Sequence, residues 1–93
     1  MLNVNTLLKK CADTRHRNLD GEGIVVKQTA GEVLVLNEVG VRVLDLLESE
    51  ASVRDLLDTL ATEYAIDRST LEQDLHLYLQ ELVDAQVIER VMA

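Results

Sequence analysis

Proline, phenylalanine and tryptophan are all absent from this chain of 93 residues. Tyr64 and Tyr78 are its only aromatic side chains, so it has no stacking platform of the kind on which proteins hold unpaired bases. Cys11 stands alone, which excludes an internal disulfide and leaves a buried or idle thiol as its reading. No apolar run reaches the ~18 residues that a membrane-spanning helix needs. The N-terminal MLNVNTLLKK lacks the apolar core of a signal peptide. These absences lead us to expect a cytoplasmic protein with no membrane partner.

Positive charge is scarce as well. The net charge is −8, and it is unevenly placed. Residues 1–30 carry five basic and three acidic side chains, while residues 31–93 carry four basic and fourteen acidic ones. Nucleic-acid affinity comes mostly from Lys and Arg releasing counterions, so a chain this acidic is a poor phosphate binder.

What is present suits one folded domain spanning residues 1–93. Nearly half of the residues are hydrophobic, too many for a disordered tail, and the length suffices for one core rather than two. Residues 1–13 are weakly defined, with a frayed helix turn expected around Leu7 and Leu8. Thr14–Leu19 reads as a polar edge strand, Asp20-Gly21-Glu22-Gly23 as a turn, and Ile24-Val25-Val26 as a short strand. Thr29-Ala30-Gly31 is turn material before a further strand at Glu32–Leu36, so these two apolar runs form a β-hairpin.

After Asn37 the apolar spacing changes from two to about 3.6 residues, with Val39, Val43, Leu46 and Leu47 on one helical face. Asn37 is the expected N-cap and Glu38 suits the positive end of the helix dipole. Ser52 with Asp55 starts a second helix whose apolar face is Val53, Leu56, Leu57, Leu60, Ala61 and Tyr64. A third helix runs from Asp67 or Ser69 to about Ala85, and Val87, Ile88 and Val91 can close the domain as a short strand. The fold class is therefore α+β and winged-helix-like: a short N-terminal antiparallel sheet of about three strands, then three α-helices.

The strand at Glu32–Leu36 is apolar on both faces, with Val33 and Val35 on one and Leu34 and Leu36 on the other. On the third helix, Tyr78, Leu71, Leu82, Leu75, Leu79 and Val83 fill an arc of about 140°, wider than the ~100° stripe that seats a helix on a core. Leu75, Leu79 and Leu82 are accounted for by packing. Leu71 and Tyr78 lie at the rim beside Asp74, where a tyrosine presents its ring inward and its hydroxyl outward, as a groove wall or as an ordinary core margin.

No constellation for chemistry converges. His16 and His76 have no nucleophile or ligand partner at useful spacing, Cys11 and His16 do not make a metal site, and no glycine-rich phosphate loop is present. We expect no enzyme, no cofactor and no metal.

Two stretches together resemble the PqqD-like family, named for pyrroloquinoline quinone biosynthesis protein D. They are Gly31-Glu32-Val33-Leu34-Val35-Leu36-Asn37-Glu38-Val39-Gly40 leading into Val43–Leu47, and Asp74-Leu75 with Tyr78-Leu79, Leu82 and Val87-Ile88. The resemblance covers about residues 15–90. It departs at Gln86, where glycine would take the left-handed C-cap conformation. The resemblance implies a peptide-recognition module for ribosomally made, post-translationally modified peptides. Such a module holds the leader of a precursor peptide and presents it to a modifying enzyme, often a radical SAM protein. It implies that the leader adds as a strand beside Glu32, Val33, Leu34, Val35 and Leu36, in a cleft against Leu71, Asp74, Leu75 and Tyr78. One face of the strand would then meet the core and the other would line the cleft.

Three other readings compete. A DNA-binding winged helix would need a basic recognition helix, but the third helix sets Arg68 against Glu72, Asp74, Glu81 and Asp84. A general protein-interaction adaptor shares every residue-level feature with a peptide reader. A scaffold serving an enzyme alone would use the more basic N-terminal part as its docking surface. An open strand edge would also allow a homodimer.

Overall fold

The computed structural model describes residues 2–20 and 22–91. Among these residues nine elements follow one another: β1 (Leu7–Lys10), β2 (Thr14–Leu19), β3 (Glu22–Lys27), β4 (Glu32–Leu36), α1 (Glu38–Leu46), β5 (Ala51–Ser52), α2 (Val53–Tyr64), α3 (Arg68–Asp84) and β6 (Ile88–Arg90). They build an α+β fold with two antiparallel three-stranded sheets, in the orders β2-β3-β4 and β5-β1-β6.

The second sheet corrects the reading of the N-terminal segment. Leu7 and Leu8 belong to a strand, not to a helix turn, because β1 pairs with Ala51–Ser52 on one side and with Ile88–Arg90 on the other. Leu8 is fully buried there, a burial that stabilises by about 2 kcal/mol. The expected closing strand at the C-terminal end is β6. Gly21, part of the expected turn, lies outside the described residues, and Glu22 and Gly23 already belong to β3.

The first sheet follows the hydrophobic pattern. In β3, Gly23, Val25 and Lys27 are buried and alternate with less buried Ile24 and Val26. Helix α1 covers the inner side closely: a Cβ on Gly23 would come within 2.0 Å of Val41 Cγ2. The helix starts are capped by short polar side chains. Asn37 Oδ1 accepts from the Gly40 N–H at 3.0 Å, Ser52 and Asp55 form a reciprocal capping box, and Asp67 accepts from the Thr70 N–H at 3.2 Å. Each such cap is worth about 1 kcal/mol. Between the sheets and helices sits one core that includes Val43, Leu44, Leu47, Leu56, Leu57, Leu60, Leu75, Leu79 and Ile88.

Gln86 answers the question raised by its sequence. Its φ is 60°, the left-handed conformation that glycine takes without cost. The Lys27 ammonium donates to its carbonyl oxygen and also bonds Asp13 at 3.1 Å. The carbonyl of this left-handed residue is thus tied to a lysine that is only 4% exposed.

Candidate functional site

Strand β4 lies at the edge of its sheet, paired to β3 and to no other segment among the described residues. A free edge carries a row of unpaired N–H and C=O groups. Glu32 is exposed, Leu34 and Leu36 are half-buried on the core side, and Val33 and Val35 are exposed. Where β4 ends, Asn37 turns the chain into α1, and beside this corner opens a cleft of about 310 Å³. Asn37 and Val39 line it from the strand end and α1, Ile66 from the turn after α2, and Leu71, Asp74, Leu75 and Tyr78 from α3.

The structure therefore brings together four of the residues singled out in the sequence: Leu71, Asp74, Leu75 and Tyr78. Leu71 and Leu75 are buried and form the floor, while Asp74 is exposed. The five β4 residues do not line the cleft; they run up to it at Asn37. The resemblance implied that one face of the strand meets the core and the other lines the cleft; Leu34 and Leu36 are the inward face, and Val33 and Val35, which alternate with them, lie on the outer side of the sheet.

Tyr78 also departs from expectation. Its ring is half-buried, and its hydroxyl points inward, not out to water. A Cβ at Gly40 would meet the Tyr78 Oη at 2.0 Å and the Leu36 Cβ at 2.9 Å. The absence of a side chain at Gly40 thus makes room for the tip of Tyr78 beside the end of β4. The hydroxyl is buried and has no hydrogen-bond partner among the described residues. Burial, and secondarily the charge of Glu81, push the phenol's pKa above its ordinary value.

Ile66 was missed from the sequence, although a signal for it exists. It immediately precedes the cap residue Asp67, and Leu71 is the fourth helical residue after that cap. These are the two positions of a hydrophobic staple, and both line the cleft. Asn37 was read only as a cap and Val39 only as part of a helical face; each also borders the cleft.

The histidines are used elsewhere. His16 contacts Asp45 at 2.8 Å and the Lys10 ammonium at 3.3 Å; His76 is half-buried on α3. No group of three or more His, Cys, Asp or Glu among the described residues could hold a metal ion, and none of the described helices is long and apolar enough to cross a membrane.

Comparison with known proteins fits this geometry. The solved structure "TbiB1 in Complex with the TbiA(beta) Leader Peptide" superposes with a TM-score of 0.79 at 27% sequence identity, covering 91% of this chain and 99% of that one. No curated protein matches the chain by sequence. The profile of the family described as coenzyme PQQ synthesis protein D (PqqD) matches residues 17–88, a span that takes in β3, β4, all three helices and the cleft between them, and the chain therefore belongs to the PqqD family.

Proposed function

We propose that this chain is a non-catalytic peptide-recognition module that binds the leader of a ribosomally made precursor peptide and presents it to a modifying enzyme. The leader adds as a strand to the free edge of β4, and its side chains on the inner side enter the cleft walled by Val39, Ile66, Leu71, Leu75 and Tyr78. The observation that carries this reading is the meeting of an unpaired strand edge with an apolar cleft at Asn37. Backbone bonds at the edge supply affinity at about 1 kcal/mol each, and the cleft supplies selectivity between side chains. The likeness to TbiB1, whose structure holds a leader peptide, supports the same reading. Within it we place the chain in the cytoplasm, where such peptides are made, with a radical SAM protein as the partner enzyme. A second copy pairing at the same edge would compete with the leader.

The test is titration of the isotope-labelled chain with each short precursor peptide encoded nearby. Amides of Glu32–Leu36 that do not bond to β3 should gain protection from hydrogen exchange, and residues lining the cleft should shift. Peptide-induced shifts confined to residues 2–20 would move the site away from β4 and leave only the adaptor reading.

A further inference from the structure

The outer face of the β2-β3-β4 sheet takes no part in the cleft. Its register forms two rows. Arg15 lies opposite Val26, and Val26 opposite Val33; Arg17 lies opposite Ile24, and Ile24 opposite Val35. All six residues alternate with inward neighbours such as Val25 and Leu34, so their side chains share the side away from α1. Val33 and Val35 are 62% and 63% exposed, Leu19 at the end of β2 is 56% exposed, and Val26 is 36% exposed. Scattered exposed apolar residues are ordinary, but a contiguous apolar sheet face marks an interaction surface.

The charges on this face are also unspent. Lys9, Lys10, Lys27, Arg42 and Arg68 each have a carboxylate partner. Among the described residues Arg15 and Arg17 have none, and neither do Arg54, which donates to Asn5 Oδ1, and Arg90, which lies in β6 of the other sheet. The contacts of Arg15 are the backbone carbonyls of Ala12 and Thr14, at 3.5 Å. In a chain of net charge −8, two neighbouring guanidiniums beside an apolar face, both without a carboxylate, form a surface complementary to an apolar patch with an acidic rim.

The face is continuous with the β4 edge. A strand added to β4 extends both rows, because its outward side chains fall next to Val33 and Val35. We infer that this outer face docks a second protein, one that presents an apolar surface rimmed by carboxylates, and that a bound leader strand enlarges the docking surface. This rests on the function proposed above, in which that protein is the modifying enzyme. A second copy of this chain fits the face poorly. Stacked about a two-fold axis in the plane between the sheets, the β2 arginines would meet either the β4 valines of the other copy or the same arginines. Because enzyme and leader touch one composite surface, each tightens the binding of the other by the same factor.

The experiment uses the full chain, the leader peptide of the neighbouring precursor gene, and the modifying enzyme encoded beside it. Two variants alter the face without touching the cleft or the β4 edge: the double variant Arg15→Glu/Arg17→Glu, and Val26→Lys. Each should bind the leader within twofold of the parent and the enzyme at least tenfold more weakly. The parent should bind the enzyme severalfold more tightly when the leader is present. Should Val26→Lys fail to fold, the arginine pair decides alone, since both side chains are exposed. Unchanged enzyme affinity in the folded arginine variant would overturn the inference, as would a parent chain that does not bind the enzyme. A concentration-dependent dimer abolished by these variants would assign the face to a second copy and overturn it too. Loss of enzyme binding in the variants, in a chain that never binds the leader, would keep the docking surface and defeat the peptide-binding function instead.

Discussion

Replacing Tyr78 by phenylalanine should stabilise this protein, against the usual result for a buried tyrosine. The Tyr78 hydroxyl is buried without a hydrogen-bond partner among the described residues, close to Gly40 and the Leu36 Cβ. A buried hydroxyl that makes no bond costs roughly 1–3 kcal/mol of desolvation. Tyr78→Phe removes that cost and leaves the ring packing intact, so we expect a gain of about 1 kcal/mol. For a domain of this size that corresponds to a rise in melting temperature of about 4–8 °C. Urea and thermal unfolding, monitored by circular dichroism, measure it directly.

The pH dependence gives a second readout of the same substitution. The pKa of the Tyr78 phenol is raised by burial and by Glu81. A raised acid pKa favours the neutral form in the folded state, so its stabilising contribution is complete below the ordinary tyrosine pKa near ~10 and is lost as pH rises through the folded value. Tyr78→Phe escapes that loss, and the gap between the variant and the parent should widen in alkali. Tyr64, whose pKa is also raised by burial, is present in both chains and cancels. A variant that melts at or below the parent's temperature would refute the reasoning and show that the hydroxyl is bonded in solution. If the leader supplies the missing partner, Tyr78→Phe should also weaken leader binding by about tenfold, or ~1.4 kcal/mol, in calorimetry.

Two further outcomes concern charge and thiol chemistry. The hydrogen bond from Lys27 holds the Asp13 carboxyl below its usual pKa, and Lys10 and Arg42 do the same for Glu48 and Glu63. Depressed carboxyl pKa values contribute stability that is present above about pH 4 and lost as pH falls through the folded values. The melting temperature should therefore drop steeply on acidification, and less steeply in Asp13→Asn; an equally steep fall in that variant would exclude Asp13 as a contributor. Burial, and after it a hydrogen bond to Glu89, push the Cys11 thiol up to about 11 from 9.0, so at pH 8 its thiolate fraction is about a hundredfold below that of an ordinary thiol. Iodoacetamide should label the native chain at least that much more slowly than the urea-unfolded chain, and prompt labelling of the native chain would contradict the burial of Cys11.

Local patterns were readable and long-range pairings were not. The switch from period two to period 3.6 at Asn37 marks the boundary between β4 and α1, and the caps expected at Asn37 and Ser52 both form, because each depends on residues only three positions apart. Strand β1 was hidden. Leu7-Leu8-Lys9-Lys10 has no alternation and good helix formers, and it becomes a strand only because Ala51–Ser52 and Ile88–Arg90 arrive on its two sides. Two of the cleft residues, Leu71 and Tyr78, were visible at the rim of an apolar arc on α3, while Asp74 and Leu75 were placed in the cleft by the family resemblance. A helical wheel gives direction but not depth, so it placed the Tyr78 hydroxyl outward when the space over Gly40 draws it in. It could not show that Val33 and Val35 face away from α3, because the side of the sheet taken by each helix is a tertiary fact.

The Leu36-Asn37-Glu38-Val39-Gly40 step then has one physical explanation. Leu36 ends the edge strand and packs inward against the core. Asn37 stops the ladder and accepts the N–H of Gly40, which starts α1. Gly40 lies where the Leu36 Cβ and the Tyr78 hydroxyl both approach, with space for neither if it carried a side chain. A single five-residue step thus joins the free edge, the first helix and the wall of the cleft. Its spacing follows from the geometry of an N-cap, whose side chain reaches the N–H three residues on. Because that N–H belongs to the residue that also leaves room for Tyr78, forming the cap places α3's tyrosine at the strand end. The cleft sits at the end of β4 for that reason, where an added strand and the α3 wall can be engaged by one extended peptide.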